Sequence, residues 1–330
     1  MKIAVLAHAT DACAAALAAE LGCARLELSL PAGTAVEMSA AGVVWAGVPL
    51  HELDTLVVSG FDHEDPLVPR ALPGADFSVW QIDYIVDQQR ASFVASVLRE
   101  LGRRGVRVVN SWESLQLALS KPRVLGELAR AGCRVPAWLC TSDPEAAKTF
   151  CGSQERVLWR PASGRAKWQL FLDKQREALV GAGKPPVLLA AHPRENLRRA
   201  FVCAGEVLLA IECTVPVLDP LERMEEVWAC DSAPVDGALV AAAQAALASW
   251  AQISYTLQDG TACIYDVDPD PRYAWLPGEF RAYLVARLAR RLLGQRAPAL
   301  PVPPRRERDS LFLRRMLVSL HDMEATKYRK

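Results

Sequence analysis

The run from Ile253 to Asp268, ISYTLQ-DG-TACIYDVD, constrains this chain more than any other stretch. β-branched and aromatic residues on both sides of Asp259-Gly260 read as two strands joined by a tight turn, because Asp-Gly supplies the left-handed backbone that a two-residue hairpin needs. The second strand ends in acids. Asp266 and Asp268 are two residues apart, so both side chains leave the same face. Like charges about 5 Å apart repel by roughly 3 kcal/mol at an effective dielectric of about 20. The pair is therefore either a solvated strand end leading into a Pro-rich turn or a seat for a cation. A hard divalent ion such as Mg2+ takes carboxylate oxygens and brings phosphates with it.

The rest of the chain alternates strand and helix. Lys2–Leu6 is a strand, and Asp11 is placed to cap an Ala-rich helix running to about Leu21. Thr55–Gly60 is a continuous apolar run ending in glycine, which suits a buried parallel strand. Apolar residues recur at helical spacing from Asp83 to Arg104 and stop at Gly105, and a strand at Val106–Val109 follows. This pattern predicts a small α/β domain with a parallel sheet. Beyond it come helices at Ser111–Leu119, Val124–Ala131 and Asp143–Phe150, then a strand at Arg156–Arg160 broken by Pro161. A loop of small residues (162–166), a helix from Asp173 to Val180 and a linker (181–186) lead to strands at Val187–Ala191 and Ala200–Cys213, the latter split at Ala204-Gly205. Helices at Val235–Ser249 and Glu279–Leu293 flank the opening hairpin.

Composition narrows the function classes. Lys and Arg number 38 and so do Asp and Glu, so no global field draws in nucleic acid or an anionic membrane. No apolar run reaches the ~18–20 residues of a membrane span. The opening MKIAVLAHAT reads as a first strand rather than a signal peptide. Nine scattered cysteines with no CxxC pair point to reduced thiols and a cytoplasmic protein. The five histidines form no zinc pattern.

Several weak motifs occur in one order. Asn110 ends a strand, Lys121 follows, and then Leu128, Ala131, Gly132, Val135 and Pro136. Arg160-Pro161 stands where a strand ends in Lys-Pro, ahead of the small-residue loop. Arg199, Val202, Gly205, Glu206 and Leu208 form an Arg-led strand pair, and Asp266-Val267-Asp268-Pro269-Asp270-Pro271 closes the series. In this order the chain resembles the ATP-grasp superfamily over roughly residues 55–293, most of all its glutathione-synthetase-like and glutamate-adding carboxylate–amine ligases.

The resemblance implies an ATP-grasp fold preceded by an N-terminal parallel-sheet domain. Its expected bounds are 1–112 for that domain, 113–186 for a small lobe, 187–297 for a lobe with the metal site, and 298–330 for a Pro-rich linker and tail. It implies ATP and Mg2+, a carboxylate activated as acylphosphate, and displacement by an amine or thiol of a peptide, amino acid or small metabolite. Lys121 and Arg160 would contact ATP phosphates, with Ser163 and Gly164 in the loop above them. Leu189, Ala190, Ala191 and Glu195 would frame adenine and ribose. Arg199 would contact the γ-phosphate or the acylphosphate, and Asp266 and Asp268 would hold Mg2+. Each residue has a plainer reading beside this one: Lys121 as a solvated helix-start lysine, Arg160 as the partner of a surface acid, Arg199 as an edge-strand charge, Gly164 as a turn residue. Arg70, Trp80, Asp83 and Tyr84 would meet the ATP site from the first domain.

Four departures from the pattern leave two functional classes open. Arg160 replaces a lysine, which keeps the charge in a bulkier, forked form. No carboxylate occurs in Ser254–Gln258, where the family carries one about ten residues ahead of the first metal acid. The usual Glu-x-Asn is Asp266-x-Asp268, and the phosphate loop holds one glycine. The chain is either an active ligase or a catalytically reduced ATP-grasp protein serving as a nucleotide- or partner-binding subunit. The tail carries an apolar stripe, Leu313, Met316, Leu317 and Leu320, that either docks on its own body or mediates a homo-oligomer or protein contact.

Overall fold

The computed structural model describes residues 1–28, 35–59, 77–164, 168–172, 178–181, 183–192, 197–214 and 226–295. Arg70, Glu195, Ala166, most of the helix expected at 173–180 and the tail stripe lie outside these, as do the side chains of Trp80, Asp83 and Tyr84.

The first domain is built on β1 (Ile3–Ala7), α1 (Ala12–Leu21), β2 (Ala24–Glu27), β6 (Thr55–Ser59), α2 (Phe77–Arg103) and β7 (Arg107–Val109). Its strands lie in the order β2-β1-β6-β7, all parallel. Asp11 caps α1 by accepting the N–H groups of Cys13 and Ala14, and Gly22, at φ 60°, ends it. Both faces of the sheet are covered, which is why Thr55–Ser59 reads as unbroken hydrophobicity. Val5, Ala7, Val57 and Val109 pack toward α1, whereas Leu6, Leu56 and Val58 pack toward Val94, Leu98 and Leu101 of α2. A small antiparallel sheet, β3 (Val36–Met38), β4 (Val43–Trp45) and β5 (Val48–Pro49), was not expected from the sequence. Its strands are two or three residues long, too short for periodicity to register. Trp45 nonetheless anchors it, wholly buried, with its indole N–H donating to the Glu27 carbonyl.

The second sheet has the order β10-β9-β11-β8 and is antiparallel, from β8 (Trp138–Thr141), β9 (Val157–Pro161), β10 (Gln169–Leu170) and β11 (Val187–Ala191). Two helices precede it, α3 (Trp112–Leu119), capped by Ser111, and α4 (Lys121–Arg130). The helix α5 (Pro144–Gly152) is capped by Asp143.

The third sheet is the largest: β14-β13-β12-β15-β16, antiparallel throughout. It comprises β12 (Arg198–Cys203), β13 (Glu206–Thr214), β14 (Glu226–Ala229), β15 (Trp250–Gln258) and β16 (Thr261–Asp268). Asp259 and Gly260, both at positive φ, make the predicted turn. Phe201, Cys203, Ile211 and Trp250 pack against α7 (Gly278–Leu292), which also touches α1. Ala200, Val202, Ala210, Ile253 and Tyr255 pack instead with α4 and α6 (Asp236–Ala245). The sheet is therefore a middle layer. α6 ends earlier than the sequence suggests because Leu247 turns to φ 56° and closes the helix.

Candidate functional site

One irregularity in the hairpin decides which way its acids point. From Gln258↔Thr261 to Tyr255↔Ile264 the pairing is regular, but the next pair is Ser254↔Asp266. Tyr265 is thus the extra residue of a β-bulge. An extra residue inverts the facing of everything beyond it. Ile264 and Val267 consequently share the core face, while Asp266 and Asp268 turn to the opposite one. The Tyr265 hydroxyl donates to the Ala191 carbonyl at 3.2 Å, and the Ile264 N–H to the Arg134 carbonyl at 2.8 Å.

On that polar face the register lines up three strands. Arg199 on β12 pairs with Ser254, and Ser254 with Asp266. Arg199 therefore stands two strands from Asp266, about 10 Å at the usual strand spacing. Its guanidinium lies 4.9 Å from the centre of the Trp275 ring, and the residue is only 5% exposed. A second row runs Phe201, Gln252, Asp268. Asp268 also accepts the Asp270 N–H at 3.0 Å, fixing the turn that leaves the strand.

Lys121 and Arg160 come to this face from the second sheet's side. Lys121 Nζ donates to Asp266 Oδ1 at 2.9 Å, and an Arg160 Nη donates to Oδ2 at 2.8 Å. The two cationic side chains are 5% and 3% exposed, the carboxylate 20%. The Arg160 guanidinium also lies 5.3 Å from the centre of the Trp168 ring. Lys121 is thus not a solvated helix-start lysine, and the acid that Arg160 pairs with is mostly buried. Burial pushes the Asp266 carboxyl up, but Lys121 and Arg160 outweigh it and hold the group at about 2. Burial also lowers the Lys121 ammonium; Asp266 opposes that shift and Arg160 adds to it.

The loop after β9 is tied to the start of α4. The Lys121 N–H donates to the Ala162 carbonyl, the Gly164 N–H to the Leu119 carbonyl, and Ser120 and Ser163 form a β-bridge. Gly164 has φ 79°, a conformation that a side chain would strain. Leu189 and Ala190 are buried mid-strand between β8 and β9, and Ala191 stands at the strand's end. Glu195, which would follow them, is outside the described residues.

Three features escaped the sequence reading. Trp168 and Trp275 beneath the two arginines are distant in sequence or carried on irregular segments. Within Ser254–Gln258, the stretch without a carboxylate, the residue facing Asp266 is Ser254, whereas Thr256 faces Cys263. Asn110 has the clearest structural role: it accepts the N–H groups of Ser249 and Trp250 and donates to the carbonyls of Trp250 and Pro269. It thereby ties the end of β7 to the open end of the hairpin, where β15 begins and β16 has just ended. An asparagine closing an apolar strand was the signal available in the sequence, and the structure buries it wholly.

Asp266 and Asp268 offer the hard oxygens that Mg2+ requires, and the cations now on Asp266 are of the kind that phosphates would draw away. The residues present thus fit a metal–nucleotide pair. No family model and no curated protein matches the chain. Solved structures do. The ATP-grasp ligase PsnB with a minimal precursor aligns at TM-score 0.74 and 19% identity, covering 89% of this chain and 99% of its own. The macrocyclase MdnC with precursor peptide MdnA, from Microcystis aeruginosa, gives 0.69 at 13% identity, covering 89% and 100%. The D-cycloserine synthetase DcsG gives 0.56 at 14%, covering 88% and 100%. The chain has the ATP-grasp fold.

Proposed function

We propose that this chain is an ATP-dependent ligase that joins a carboxylate to an amine, or to a thiol, through an acylphosphate, with a peptide as substrate. The observation that carries the proposal is Asp266 held between Lys121 and Arg160, at the meeting of two sheets. Phosphoryl transfer asks a protein mainly for positioning and charge neutralisation. Lys121 and Arg160 supply two buried positive charges, and the backbone of Ser163 and Gly164 is tied to Leu119 and Ser120, just ahead of Lys121. Phosphates bound here would draw on both cations, and Asp266 would then be free to hold Mg2+ together with Asp268. Bound Mg2+ would neutralise the phosphate charge. Arg199, braced on Trp275, stands on the same face where the γ-phosphate or the acylphosphate would lie. Ala191, at the end of β11 after the buried Leu189 and Ala190, and Glu195, four residues on in sequence, would meet the adenine and ribose. The peptide substrate is supported by the aligned ligases whose structures contain precursor peptides.

Ser254 at the position facing Asp266 favours the second reading, a nucleotide-binding subunit with reduced catalysis. One experiment separates the two. The full chain is incubated with ATP, Mg2+, hydroxylamine and a panel of carboxylate-bearing peptides. Hydroxamate formation matched by ADP release is the expected result. Binding of ADP without hydroxamate from any peptide would favour the subunit.

A further inference from the structure

The row beside the metal acids holds an oxygen with no present use. Gln252 faces Asp268 directly across β15 and β16, so their side chains leave the same face with Cβ atoms about 5 Å apart. Gln252 Oε1 is buried and has no hydrogen-bond partner among the described residues. A buried acceptor left unpaired is costly, and natural cores seldom keep one without a reason. Next to it, within the stretch where the pattern calls for an acid, stands Ser254, a short buried side chain that faces Asp266.

Resting on the nucleotide-binding reading above, we propose that Gln252 supplies a third, neutral oxygen to the divalent cation held by Asp266 and Asp268, in place of the carboxylate that Ser254 lacks. Carboxamide oxygens are ordinary ligands of hard cations. Two acids and one amide would keep the protein's charge at the ion at two, because the acid gained at Asp268 offsets the one absent at Ser254. Gln252 is then a metal-binding residue on the strand opposite the two acids, found from the register and not from any motif.

Electron paramagnetic resonance with Mn2+ and ADP on the full chain tests this, since bound Mn2+ loses the sharp signal of the free ion. Wild type should bind Mn2+ in the presence of ADP. Gln252→Leu should weaken that binding about tenfold while leaving metal-free ADP affinity, measured by calorimetry, unchanged. Gln252→Glu should bind Mn2+ at least as tightly as wild type. Equal losses of Mn2+ and metal-free ADP binding in Gln252→Leu would make Gln252 a packing residue and overturn the proposal, as would an unchanged Mn2+ affinity. Should Gln252→Leu fold poorly, Gln252→Asn, one methylene shorter, should show the same selective loss. If wild type itself binds no Mn2+ with ADP, the nucleotide-site reading fails first, and that outcome is distinct from a failure at Gln252.

Discussion

Arg160 on β9 reaches Asp266 on β16 at 2.8 Å, so an ion pair joins the second sheet to the third. Lys121 makes the same link from α4. Three charges share one small volume, and the nucleotide would have to redistribute them.

Arg160 should matter to ligand binding more than its loss matters to folding. A ligand that binds only the folded state raises stability by about 2.7 kcal/mol at a hundred times its Kd. Mg2+ with ADP should therefore raise the wild-type Tm by several degrees. Arg160→Ala should lose most of that gain, and Arg160→Lys should keep part of it, because a point charge survives without the fork. The quantity to compare is the ligand-induced shift in each variant, not its starting Tm.

The strand pair was legible only in part. Asp266, Lys121 and Arg160 could be picked out because their order along the chain follows a pattern, but the three-residue step from Ile264 to Val267 was not read as a change of phase. The bulge at Tyr265 makes Ser254 the partner of Asp266, whereas counting back about ten residues lands on Thr256. Trp168 and Trp275 were hidden for a related reason: their contacts with Arg160 and Arg199 depend on how separate segments fold back, and local spacing carries no trace of that.

Asp266→Asn should destabilise the protein by about 3 kcal/mol at neutral pH, since it leaves two buried cations facing each other without their anion. The pH dependence has a definite sign. The Asp266 carboxyl is held at about 2 in the folded state, below the ordinary aspartate value of 3.8. Its contribution is thus fully present above about pH 4 and fades as pH falls toward 2. Urea midpoints of wild type and Asp266→Asn should lie apart at pH 7 and converge between pH 4 and pH 2.5. A gap that stays constant over that range would contradict the assignment.

Asp268→Asn should weaken Mg2+-dependent ADP binding by about tenfold, through loss of one charge at the ion, even though it installs the residue that the family pattern favours. Adding Ser254→Asp to that variant should restore most of the affinity. Adding Thr256→Asp instead should not, because residue 256 faces Cys263. Calorimetry on the three variants would check the ranking.

Trp275 should act through Arg199. A cation–π contact of this kind contributes on the order of 1 kcal/mol, or about fivefold in affinity. Trp275→Ala should weaken binding of AMPPNP, which has a third phosphate group, and leave ADP affinity close to wild type. Equal losses for both nucleotides would assign Trp275 to the general packing of the loop.

The central claim is that Lys121, Arg160, Asp266 and Asp268 form one site for a nucleotide and its metal ion. Isothermal titration calorimetry of the full chain with ADP, with and without Mg2+, tests it most directly. The account predicts binding near one ADP per chain that strengthens with Mg2+, and loss of that metal dependence in Asp266→Asn. No heat of binding at millimolar ADP with Mg2+, or binding in Asp266→Asn with the metal dependence intact, would contradict it.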